Sequence, residues 1–136
     1  MKNYYLIIAT LLFFSCSVTK SSSDYPVLDG PKWVLTNMEG KVSTLGDKVF
    51  LKFDDKEDQA SGRAACNTFS GSYVAVRNTL LFEEIASTKM YCEGVMDTEN
   101  KFLANLGRVK RYEVKSDMLH LYSSDGLLMI FKKTQE

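Results

Sequence analysis

Both prolines of this chain, Pro26 and Pro31, stand near its start, and none follows through Glu136. Proline lacks a backbone N–H and interrupts sheet ladders, so everything after residue 31 is open to continuous hydrogen-bonded structure. That stretch is filled by short alternating apolar segments separated by turn residues. Trp33-Val34-Leu35 opens it. Val49, Leu51 and Phe53 alternate with Phe50 and Lys52. Phe69, Gly71, Tyr73 and Ala75 alternate with Ser70, Ser72, Val74 and Val76. Arg77-Asn78 fits a tight turn, because Asn tolerates positive φ, and Thr79 to Phe82 returns as the partner strand. The last third reads as a meander: Val109 to Val114, a turn at Lys115-Ser116-Asp117, Met118 to Tyr122, a turn at Ser123-Ser124-Asp125-Gly126, and Leu127 to Phe131.

Only Met96 to Leu106 reads as a helix. Asp97 or Thr98 is placed to cap its start, Glu99 suits the first turn, and Gly107 suits a left-handed stop. Phe102, Leu103 and Leu106 share one face, which predicts packing on a sheet. The expected class is α+β: a small, mostly antiparallel sheet or open barrel-like domain with one main helix. A chain of this length buries enough apolar surface to fold without a metal or cofactor.

The start of the chain has a different character. Lys2 precedes an uncharged run from Tyr4 to Phe14, which is too short for a lasting membrane span, since that needs about 20 apolar residues, but has the length of a signal-peptide core. It ends at Ser15-Cys16, which resembles a bacterial lipobox, although Phe13 and Phe14 depart from the usual Leu and small residue. The expected organisation is a signal peptide over 1–15, a lipidated flexible tether over 16–30, a folded domain over 31–132 and a tail over 133–136. Cys16 would carry the lipid anchor to the membrane, and Ser17 after it favours sorting to an outer membrane. The 17 basic and 17 acidic side chains balance, and losing Lys2 with the leader leaves one net negative charge. Nucleic-acid binding needs a basic surplus, so no nucleic-acid partner is expected.

Catalytic signals are weak. The acidic run Asp54 to Asp58 lacks the spacing of an EF-hand and reads as a solvated turn. Glu83 and Glu84 are adjacent on a strand, so they should point to opposite faces and not share a proton. His120 is the sole histidine and sits between Leu119 and Leu121, which share the opposite face. No nucleophile elbow, phosphate loop or zinc-protease motif is present. With Cys16 assigned to lipid, Cys66 and Cys92 remain. In an exported domain an even pair suggests a disulfide; two free buried thiols are the rival, and metal binding would want more ligands than the sequence groups together. These residues imply no enzyme.

The same cysteines lie in two motifs. Ser61-Gly62-Arg63-Ala64-Ala65-Cys66-Asn67-Thr68-Phe69-Ser70-Gly71-Ser72-Tyr73 resembles G-x-x-G-C-N-x-F-x-G-x-Y, and Ile85-Ala86-Ser87-Thr88-Lys89-Met90-Tyr91-Cys92 resembles I-x-x-T-x-M-A-C. Both belong to the META domain of HslJ-like proteins, and Trp33, Glu99-x-x-Phe102, Tyr112 and Phe131 also fall where that family has such residues. The resemblance implies a β-rich domain with a helix, in an envelope lipoprotein tied to stress or antibiotic tolerance, with no agreed enzymatic activity. The motif residues Trp33, Gly62, Asn67, Phe69, Gly71, Tyr73, Thr88 and Met90 then have structural roles. Asn67 would bond to nearby backbone, and Gly71 would admit a close neighbour. Ala65 and Tyr91 depart from the family's usual Gly and Ala. If that Gly serves a positive φ, Ala65 strains or re-routes the turn. The leading expectation is a binding module with an envelope protein partner; the alternative is a small-ligand or lipid carrier.

Overall fold

Residues 25–135 are described in a computed structural model. The leader, Cys16 and the tether through Asp24 lie outside the described residues. Among the described residues, alternation becomes nine strands and one α-helix: β1 (Lys32–Met38), β2 (Lys41–Val42), β3 (Val49–Asp54), β4 (Gln59–Ala64), β5 (Thr68–Val76), β6 (Thr79–Ser87), α1 (Met96–Arg108), β7 (Arg111–Lys115), β8 (Met118–Tyr122) and β9 (Leu127–Thr134). A 3₁₀ turn, Gly46–Lys48, leads into β3.

Every pairing is antiparallel, and the order β2-β1-β3-β4-β5-β6-β7-β8-β9 returns on itself because β9 also pairs with β1. The sheet is therefore ring-like. The β1–β9 junction is long, running from Lys32↔Thr134 to Met38↔Met129. The β6–β7 junction is one residue pair, Thr79↔Arg111, flanked by Leu80 N–H to Lys110 C=O at 3.1 Å and Tyr112 N–H to Asn78 C=O at 2.8 Å. Helix α1 lies in the connection that spans this narrow seam.

Strand alternation sends one residue in two inward. Trp33, Leu35, Leu51, Phe69, Leu119 and Phe131 are all buried, and each such side chain contributes about 1.5–3 kcal/mol by leaving water. From α1, Phe102 enters this core edge-on, 5.5 Å from the Phe69 ring and 6.3 Å from Phe131. It links β5 to β9 across the ring. Trp33 is fixed by its indole N–H, which donates to the Leu28 carbonyl at 3.0 Å.

Several expectations are corrected. The helix runs to Arg108, and Gly107 stays helical; the exit is made by buried Val109 in extended backbone. Neither Asp97 nor Thr98 caps the start. Val95 holds that position without a side-chain bond, because it packs against the core. The tether boundary also moves, since Leu28 is buried in the core, and β9 takes in Lys133 and Thr134 from the expected tail. In the β5–β6 turn the left-handed residue is Arg77, at φ 57°, rather than Asn78. Strand β6 runs on through Glu83 and Glu84 to Ser87, where a register shift opposite Gly71 breaks the alternation. Glu84 takes φ 52°, and both carboxylates face solvent. The Ser116-Asp117 turn is as read, with φ of 46° and 62° suited to a twisted hairpin.

Candidate functional site

The two cysteine motifs meet at the start of α1. Glu99 is on the helix face that also carries Phe102 and Leu106, and it is 3% exposed. Its carboxylate turns toward the loop between β4 and β5. One oxygen accepts the backbone N–H groups of Cys66 at 2.9 Å and Asn67 at 2.7 Å. The other accepts Asn67 Nδ2 at 2.5 Å.

Asn67 is 1% exposed and uses its whole side chain. Nδ2 donates to Glu99 and also to the Met90 carbonyl at 2.9 Å. Oδ1 accepts the Thr88 hydroxyl at 2.6 Å and the Met90 N–H at 2.7 Å. Both donors and both acceptor positions of the amide are thus filled. Asn67 grips the Met90 peptide as a sheet partner would, but from a side chain. The expected bond to nearby backbone is therefore corrected: the partner is 23 residues along the chain.

Cys66 and Cys92 form a disulfide with their Cα atoms 5.8 Å apart. Closing that loop contributes about 3.5 kcal/mol on the chain-entropy model. Cys92 N–H donates to Met96 Sδ at 3.3 Å, which ties the far end of the loop to α1. Residues 88–92 are therefore held by a carboxamide, a hydroxyl, a disulfide and the helix start. What this loop presents is unburied: Met90 is 58% exposed and Tyr91 is 79% exposed.

The turn entering the site has a strained residue. Ala65 stands at φ 89°, a conformation that disfavours a Cβ by about 1–2 kcal/mol. Its position is enforced by Arg63 Nε donating to its carbonyl at 3.2 Å and by Ala64 N–H donating to Asn67 C=O at 2.8 Å. The strain follows from presenting two consecutive N–H groups to Glu99.

The remaining motif residues pack the surroundings. A Cβ on Gly62 would lie 2.0 Å from the Phe50 carbonyl oxygen, and one on Gly71 would lie 2.7 Å from Glu83 O. Both glycines admit a neighbouring strand. Phe69 and Trp33 are core. Tyr73 sits edge-on to Phe53 at 4.9 Å, and its hydroxyl donates a short bond to the Asp55 carboxylate. Burial first, then that bond to Asp55, holds the Tyr73 phenol far above its ordinary range. Trp33 and Tyr73 thus stand apart from the brace, whereas Asn67, Thr88, Met90 and the cysteines come together in it.

His120 is half-buried on the outer face, opposite Glu113 and Ile130. Among the described residues its Nδ1 has no hydrogen-bond partner. The Glu113 carboxyl is held below its ordinary range, chiefly by Lys115. Among the described residues no three His, Cys, Asp or Glu side chains gather as a metal-binding set.

Sequence reading placed Glu99 in a first helical turn and missed its role. The available signal was a carboxylate on the apolar stripe of α1, three residues before Phe102 and seven before Leu106. A charged residue on such a stripe needs a buried partner.

A ring-like antiparallel sheet, with one helix tied through Glu99 to a disulfide-closed loop, defines a class of small β-rich domain. The META domain model matches residues 26–136, and the chain belongs to the META domain family. Among solved structures, an NMR structure of a protein from Burkholderia xenovorans is 24% identical, with a TM-score of 0.66 over 80% of this chain and 85% of that one. A crystal structure of a DUF4847 family protein from Bacteroides vulgatus is 13% identical, with a TM-score of 0.64 over 81% of this chain and 96% of that one. These likenesses concern the fold. No curated protein matches the chain.

Proposed function

We propose that this chain is a non-enzymatic envelope lipoprotein, anchored through Cys16, whose META domain binds a protein partner through the Met90–Tyr91 loop in stress or antibiotic tolerance. The observation that carries this reading is the contrast between the loop's buried supports and its exposed tip. Asn67 and Glu99 are almost fully buried, while Tyr91 is 79% exposed. A rigid aromatic loses little conformational freedom on binding, and such residues dominate the energy of protein interfaces.

The anchor is supported by Lys2, the short apolar run and Ser15-Cys16. The non-catalytic reading is supported by the disulfide, which leaves Cys66 and Cys92 no thiolate, and by His120, whose strand neighbours are Glu113 and Ile130. The carrier alternative draws less support, because the ring interior is occupied by Trp33, Leu51, Leu119, Phe102 and Phe131, each at most 1% exposed.

The test is a photoreactive side chain placed at Tyr91 of the full lipidated chain in its own membranes. One protein captured reproducibly from that position, and not from equally placed chemistry at exposed Val74, is the expected result. Equal capture from both positions, or no protein capture, would refute the reading. A deletion strain should lose heat or antibiotic tolerance; unchanged tolerance removes the stress role.

A further inference from the structure

A second surface feature lies away from the Met90–Tyr91 loop. Between the β1–β2 hairpin and the start of α1 is a cleft of about 340 Å³, within the size range of small-ligand sites. Its floor is apolar: Leu35 is 2% exposed and belongs to the core, while Met38 and Leu45 are half-buried against it. Val42 is 78% exposed at its lip.

The rim carries charge of one available sign. Glu39 is the acid that lines the cleft, and it is engaged by Asn105 Nδ2 at 3.1 Å and by Arg108 at 3.5 Å. Lys41 and Lys101 also line it, one from the hairpin and one from α1. Among the described residues neither ammonium group has an ion-pair or hydrogen-bond partner. The cleft therefore combines an apolar floor reaching the core with two unpaired cations at its mouth.

We propose that this cleft binds a single-chain amphiphile with an anionic head, its tail on Leu35, Met38 and Leu45 and its head between Lys41 and Lys101. Either a carboxylate or a phosphate monoester supplies that head. The site is independent of the protein-binding loop, so each proposal can fail alone.

The test uses the full chain in membranes and three decyl probes carrying the same diazirine on the tail: decanoate, decyl phosphate and decanol. Peptide mapping should place the anionic probes on the segment containing Met38 to Leu45. Stronger labelling by decanoate or by decyl phosphate tells which head is preferred. The paired variant Lys41→Glu with Lys101→Glu should lower anionic labelling about tenfold, the scale of two exposed ion pairs. That variant should keep its disulfide and its native circular dichroism. Equal labelling by decanol, label spread evenly over the chain, or labelling that survives the paired variant would overturn the proposal.

Discussion

Replacing Glu99 by Gln leaves the shape of the brace and removes its chemistry. In the native site three N–H donors converge on one carboxylate. A glutamine oxygen facing Cys66 and Asn67 keeps two of these bonds, each weakened by loss of the charge. Its amino group then meets Asn67 Nδ2, donor against donor. Asn67 cannot flip to relieve this, because its Oδ1 already accepts from Thr88 and Met90. One charge-assisted bond is lost and one buried donor is left unmatched, for about 3 kcal/mol within a range of about 2–5. Urea unfolding of the oxidised chain should show the midpoint falling by about 2 M at an unchanged slope of about 1.5 kcal/mol/M. Melting should fall by roughly 12 °C. Asp97→Asn, in the same first turn but exposed, should change stability by no more than about 0.5 kcal/mol. Combining Glu99→Gln with Asn67→Ala should cost at least about 1 kcal/mol less than the two changes added separately. A loss below about 1 kcal/mol for Glu99→Gln, or simple additivity, would refute the brace.

Ala65→Gly should stabilise the chain by about 0.5–1 kcal/mol: relief of the left-handed strain outweighs the extra freedom of glycine in the unfolded chain. Destabilisation in the same urea assay would contradict it. Tyr73 and Tyr112 are both held above their ordinary range, chiefly by burial. Unfolded phenols ionise near about pH 10, before the folded ones, so stability present below that pH should fall as pH rises past it. Tyr73→Phe should make this alkaline decline shallower, and identical slopes would refute the assignment. Cys16→Ser should move the protein from the membrane to a soluble fraction, because more than one acyl chain is needed for firm anchoring; continued membrane association would remove the lipid reading.

Local pattern made the strands legible. Alternation at Val49 to Phe53 and Phe69 to Tyr73 survives in the buried inward residues, because each strand has one wet face. Ring closure was not legible, since β1 meets β9 about a hundred residues later and nothing in either segment names its partner. The helix ends depart from the capping pattern for one reason: capping chemistry at Thr98 and Gly107 loses to the packing of Val95 and Val109 against the core. The family motif leaves open whether Ala65 strains its turn or re-routes it; the fold shows strain, at φ 89°, with two N–H groups turned to Glu99. Asn67 and Glu99 are 32 residues apart, and their pairing depends on where α1 docks. Among the site residues, the cysteines and Asn67 were thus visible in the sequence, while the group that unites them was not.

Amide hydrogen exchange at Met90 tests most directly whether the brace holds the displayed loop. The residue is 58% exposed, yet its N–H donates to Asn67 Oδ1 at 2.7 Å. The expected result is a slow-exchanging amide that speeds up about 100-fold in Asn67→Ala and is unchanged in Tyr91→Ala, the factor matching about 3 kcal/mol of local opening. Exchange at Met90 as fast as in an open loop, or unaltered by Asn67→Ala, would contradict it.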